Sequence, residues 1–101
     1  MLAEFSVYPV GAGESLSRYV ARSIKLIEDS GLPYKACPMG TVVEGEWDEV
    51  FALIKKCRDA IAQDTGRVVL HINVDDRKGA KGRLAGKIES VEKKVGHRIN
   101  K

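Results

Sequence analysis

RVVLHINVD, residues 67–75, alternates without a break. Val68, Leu70, Ile72 and Val74 fall on one face, and Val69, His71, Asn73 and Asp75 on the other. That is the period-two pattern of a strand with one buried side. A second such stretch opens the chain, where Ala3, Phe5 and Val7 alternate with Glu4, Ser6 and Tyr8. Pro9 lacks the N–H of a ladder bond and marks the end of regular pairing, and Gly11-Ala12-Gly13 turns the chain. Between these strands lie two helical stripes. Leu16, Tyr19, Val20, Ile24 and Ile27 define a helix from about Ser15, its expected N-cap, to the Ser30-Gly31 stop. Trp47, Val50, Ile54, Cys57 and Ile61, widened by Phe51 and Leu53, define a second. Glu46, Asp48 and Glu49 crowd its first turn, where negative charge suits the helix dipole, and Thr65-Gly66 ends it.

Two short strands, Tyr34–Met39 and Thr41–Glu44, are expected between the helices, with a tight connection at Met39-Gly40. They are too brief for their pattern to show which side chains face inward. After the Gly-rich Lys78–Arg83 loop, Leu84, Ile88, Val91 and Val95 form a third, thinner helical stripe. The order is β-α-β-β-α-β-α. One antiparallel sheet of four strands, with two helices on one face plus a C-terminal helix, satisfies it with short crossovers. This is the α+β, ferredoxin-like sandwich, spanning residues 1–101 as a single domain. The first and last strands are then neighbours. Glu4, Ser6, Tyr8, His71, Asn73 and Asp75 should share one polar patch on the face that the helices leave open. Partial covering of that face, and of the third helix's stripe, by a second chain is expected.

Composition narrows the function classes. The 101 residues are 44% hydrophobic and 31% charged, the balance of a globular chain, and no apolar run is long enough to span a membrane. Two cysteines, Cys37 and Cys57, make neither a disulfide framework nor a zinc site, and no secretory signal opens the chain. A reduced, cytoplasmic protein is expected. Residues 1–74 carry eight Lys/Arg against ten Asp/Glu, whereas residues 75–101 carry nine against four. The basic quarter reads as a solvated helix and tail, with Arg77, Lys78 and Arg83 as the residues that would meet an anion.

Motifs of other chemistries fall short. Gly11-Ala12-Gly13 has Leu16 where a dinucleotide fingerprint needs its third glycine. Cys37 and His71 form a nucleophile–base pair only if the sheet brings them together, and no orienting group accompanies them. Cys57 lies on a core stripe, and His97 lies near a basic end. The carboxylates are scattered, and Asp75-Asp76 is followed by Arg77-Lys78, so no metal site is expected. RNA-recognition modules share the element order but stack bases on central-strand aromatics. Thr41–Gly45 has none, so nucleic acid is not an expected partner. The acceptors and donors on Glu4, Ser6, Tyr8, His71 and Asn73 suit instead a small nitrogen heterocycle, with Tyr8 as a stacking surface.

Phe5–Pro9, Tyr34–Gly45 and Asn73–Arg77 together resemble the small thiamine-binding protein family, the YkoF-like domains, in its single-domain branch. The most specific piece is Tyr-x-x-x-Pro-Met-Gly-Thr-x-x-Glu-Gly over residues 34–45. The resemblance implies a ferredoxin-like fold, homo-oligomers (commonly tetramers built as dimers of dimers through the sheets) and binding of thiamine or its hydroxymethylpyrimidine moiety. It implies no catalysis and no cofactor, with roles in sequestration, delivery or sensing. Thr41, Glu44 and Gly45 match its motif and become ligand-site candidates. Ser6 and Tyr8 match its first-strand segment, and His71 and Asn73 occupy last-strand positions facing the same site. A ligand-sensing regulatory module, or an anion-binding one built on the basic loop, is the alternative.

Overall fold

The computed structural model describes every residue except Ala12, Glu14 and Ser15. The elements follow the expected order: β1 (Leu2–Pro9), α1 (Ser17–Ser30), β2 (Tyr34–Cys37), β3 (Gly40–Glu44), α2 (Trp47–Ala62), β4 (Val68–Asp75) and α3 (Arg83–Val95). The four strands form one antiparallel sheet in the order β2-β3-β1-β4. The N-cap expected at Ser15 lies outside the described residues, and α1 begins at Ser17. Its end matches: Gly31 takes φ 74°, and its N–H donates to the Glu28 carbonyl. The α2 helix stops at Ala62, three residues before Thr65. At its start the Glu46 N–H donates to the Glu49 carboxylate at 3.1 Å.

Register decides the faces. Ala3, Phe5 and Val7 pair with Val74, Ile72 and Leu70, while Ala3 and Phe5 also pair with Val43 and Thr41. Side chains at paired positions share a face, so this set faces the helices. Phe5, Val43, Tyr19, Ile27, Val50 and Ile61 are buried at its centre. Tyr19 keeps its hydroxyl satisfied by the Arg18 guanidinium at 2.8 Å. Arg22 reaches Asp64 at 2.7 Å and ties α1 to the turn after α2.

Some expected core positions stay exposed. Trp47 is 53% exposed at the first turn of α2, where its ring packs on Phe51 with centroids 4.6 Å apart. Ile72 and Val74 lie on the helix face but remain 37% and 39% exposed, since β4 is an edge strand and only its Val68–Leu70 half packs on the core.

Helix α3 buries no residue, and Val91 and Val95 stay 45% and 49% exposed. Its main packing on the sheet is against β3, and the tail after it folds back so that Ile99 N–H and Lys101 both reach Glu92. The radius of gyration is 14.9 Å over a body of 46 × 28 × 20 Å. A compact chain of this length is expected near 13 Å, and the excess reflects a helix that stands off the sandwich.

Candidate functional site

The open sheet face carries the polar patch that the alternation predicts. Glu4 pairs with Asn73, Ser6 with His71, Tyr8 with Val69 and Leu2 with Asp75. Two pairs within the patch are in contact. Tyr8 and His71 stack at 6.0 Å with planes 18° apart, and the Tyr8 hydroxyl lies 3.4 Å from His71 Nε2. Asn73 Nδ2 donates to the Glu4 carboxylate at 3.5 Å. His71 and Cys37 stand on opposite edge strands, with β3 and β1 between them. Three strand spacings of about 4.8 Å separate them by roughly 14 Å, too far for a nucleophile–base pair.

The pleat splits the Thr41–Glu44 motif. Thr41 points to the helix side and is buried, while Glu44 points to the open side. There the Glu44 carboxylate accepts the Arg83 N–H at 2.8 Å and the Leu84 N–H at 3.3 Å, satisfying two free donors at the start of α3. Lys87 adds an ion pair with Asp75 that holds the Asp75 carboxyl below its usual range. Gly45 serves packing. A Cβ there would come within 3.1 Å of the Leu32 side chain and 3.3 Å of Val50. The anion-site residues gather at this same end. Arg77 and Arg83 share a tight crevice with Glu44, Asp75 and Lys87, three basic side chains against two carboxylates, and Lys78 is not part of its lining.

A different arrangement forms at the other end of the sheet. All of β1 pairs with β4, but the last β1–β3 pair is Phe5–Thr41. From Ser6 onward, one edge of β1 has no strand beside it. The close approach of the β2–β3 hairpin there needs Gly40, whose added Cβ would sit 3.2 Å from the Phe5 carbonyl oxygen. The result is a notch of about 150 Å³, bounded by residues 6–8 of β1, residues 37–41 of the hairpin, and Leu16, Val20, Ser23 and Ile24 of α1. None of its described lining side chains is charged.

Ser6, Tyr8 and Thr41 therefore meet at the notch, while Glu44, Gly45, His71 and Asn73 lie outside it. Ser23 joins the lining without having been singled out by motif, and Met39, part of the 34–45 motif, joins it without having been named a site residue. Ser23 was legible as a serine four residues after Tyr19 on an apolar stripe. Met39 is 90% exposed at the hairpin tip. Cys37, weighed above only as a nucleophile, also lines the notch and is exposed, whereas Cys57 is buried and burial pushes its thiol up.

Comparison with known proteins identifies the family and the fold. The family model for thiamine-binding protein matches residues 3–92. A UPF0045 protein of Mycobacterium bovis is 38% identical over 94 residues, covering 92% of each chain. A UPF0045 protein of Methanocaldococcus jannaschii is 32% identical, covering 90% of this chain and 91% of its own. Its crystal structure superposes with a TM-score of 0.82 at 32% identity, over 89% of this chain and 93% of that one. A Thermotoga maritima structure, given as a candidate thiamine biosynthesis/salvage protein, has a TM-score of 0.77 at 26% identity, over 89% and 96% of the chains. No described helix is long and apolar enough to cross a membrane. With the fold and a match over residues 3–92 in accord, the chain belongs to the thiamine-binding protein family.

Proposed function

We propose that this chain is a non-catalytic binding protein for the aminopyrimidine end of thiamine, or for free hydroxymethylpyrimidine, and that the ring sits in the notch beside Thr41. One observation carries this reading. Residues 37–41, the middle of the 34–45 family motif, form one wall of the notch, whose described lining is uncharged. A cavity near 150 Å³ admits a single six-membered ring. Its hydroxyls can answer the amine donor and ring-nitrogen acceptors of an aminopyrimidine, and Tyr8 offers an aromatic surface at the mouth.

The rest of thiamine then stays outside the notch. The basic loop at Arg77–Arg83 lies by Leu2, roughly 15–20 Å along β1 from the notch. A phosphate on the far end of the ligand does not reach it. Glu44 and Gly45 act at one remove, by fixing α3 and the entry to α2. His71 and Asn73 stand on the open face outside the notch and make no contact with the ring in this reading. Homo-oligomers belong to the same reading, since the exposed Ile72, Val74, Val91 and Val95 form apolar surface that a second copy would cover. Cytoplasmic action accords with two free thiols.

Isothermal titration with thiamine, hydroxymethylpyrimidine and thiamine phosphate tests the proposal. Saturable binding of all three, within about tenfold of one another, is expected. Binding of only the phosphate ester, or of none, refutes it.

A further inference from the structure

Where β1 borders the notch, it carries backbone groups that the sheet leaves over. Alternate residues of an antiparallel strand turn their N–H and C=O to opposite neighbours. The Val10 N–H donates to the Arg67 carbonyl at 2.9 Å, next in register after Pro9–Val68, so the even-numbered residues of β1 bond to β4. The Gly45 N–H donates to the Met1 carbonyl at 3.1 Å, so the odd-numbered ones turn to β3. Ala3 and Phe5 find partners there in Val43 and Thr41. Val7 does not. The residue opposite it would be Met39, but the chain is already turning between Cys37 and Gly40. No described residue bonds to the Val7 N–H or C=O. Its side chain is buried in the core, while its peptide groups lie in the plane of the sheet and point across the missing strand position, into the notch that Val7 lines. Pro9, the next residue on the same edge, has no N–H to give. Proline inside a strand is tolerated where its nitrogen faces an unpaired edge, which is an independent mark that no strand belongs here. The opening thus offers a single donor, the Val7 N–H, beside the Val7 carbonyl. That is too little for an added strand and is matched to one edge of a small ring.

We infer that the Val7 backbone reads the ligand: its N–H donates to a ring nitrogen, and its C=O accepts from the neighbouring exocyclic amine of an aminopyrimidine. The inference rests on the notch being the ligand site proposed above and adds to it the contact that selects the ring. A heterocycle with an acceptor and a donor on adjacent atoms completes both Val7 groups. A ring without the amine leaves the carbonyl unanswered and is rejected for that reason.

The test uses the unaltered full chain, isotope-labelled, and follows single amides by NMR hydrogen exchange, free and with saturating thiamine or hydroxymethylpyrimidine. In the free chain the Val7 amide should exchange at least about tenfold faster than those of Phe5 and Tyr8, which sit in the two ladders. Either probe should slow Val7 about tenfold or more and move its amide proton downfield, with a smaller effect on Phe5 and Tyr8. In calorimetry, the pyrimidine with hydrogen in place of the amine should bind about tenfold more weakly than hydroxymethylpyrimidine. A Val7 amide as protected as Phe5 in the free chain overturns the inference, because the group is then already paired or sealed. Thiamine binding that leaves Val7 exchange unchanged, or equal affinity for the ring without its amine, also overturns it, and the pyrimidine proposal survives either result. Binding of neither probe overturns both.

Discussion

Replacing Glu44 by alanine should free α3 without unfolding the sandwich. The helix has no buried residue, and its described polar ties to the body are the Glu44 cap and the Lys87–Asp75 pair. The half-buried Glu44 carboxylate receives two backbone N–H groups at a helix start, a charge-assisted arrangement worth about 1–2 kcal/mol. Losing it raises the open population of α3 about five- to thirty-fold. The hydrophobic core is built by β1, β3, α1 and α2, so the main melting transition should hardly move. Amide hydrogen exchange resolves the two effects: protection at residues 87–95 falls by that factor, while protection at Val43, Ile54 and Ile61 stays. Glu44→Gln keeps an acceptor and should lose less. Unchanged protection in α3, or an equal loss throughout the chain, refutes the assignment of Glu44 to the cap.

Thr41→Val, nearly isosteric, should weaken thiamine binding about tenfold in calorimetry, whereas His71→Ala should leave it within about twofold because His71 lies outside the notch. A thiol reagent should modify Cys37 quickly and Cys57 only after unfolding, and saturating thiamine should slow the Cys37 reaction, which is read by thiol-release stoichiometry. Asp75 is held below its usual pKa by hydrogen bonding and attraction from Lys87, and Glu92 by Lys101 and then the Ile99 N–H. Depressed carboxylate pKa values stabilise above the ordinary values of about 3.9 and 4.3, and that support is lost as pH falls through the lower folded values. Acidification from pH 5 to 3 should therefore loosen α3 and the tail, as seen in their amide exchange, and added salt should weaken the same exposed ties. Light scattering should report a multiple of the 11.1 kDa chain, and a monomer would leave the exposed stripes without their proposed cover.

The strand and helix order was legible because both long strands alternate cleanly and both core helices carry wide stripes. Ile72 and Val74 show what alternation cannot say. It assigns a face, but how far that face is covered depends on how far α2 reaches along an edge strand. Trp47 shows the same limit for a helical stripe, whose first turn can overhang the core. The site was half legible. Thr41 and Glu44 look like one motif in the chain, yet three residues along a strand put them on opposite faces, one at the notch and one at the cap of α3. The notch itself arises from a mismatch between the lengths of the β1–β3 and β1–β4 pairings, a quantity set by register rather than by residue type. Ser23 had a visible trace, a polar residue on an apolar stripe, and the packed structure buries it beside the notch.

The most direct test of the notch as the ligand site is a two-dimensional NMR titration with thiamine, following methyl and amide signals on both sides of the sheet. The account predicts saturable shifts at Val7, Val20, Ile24 and Thr41, with His71, Asn73 and Glu4 little changed. Shifts centred on His71 and Asn73, or none at all, would contradict it.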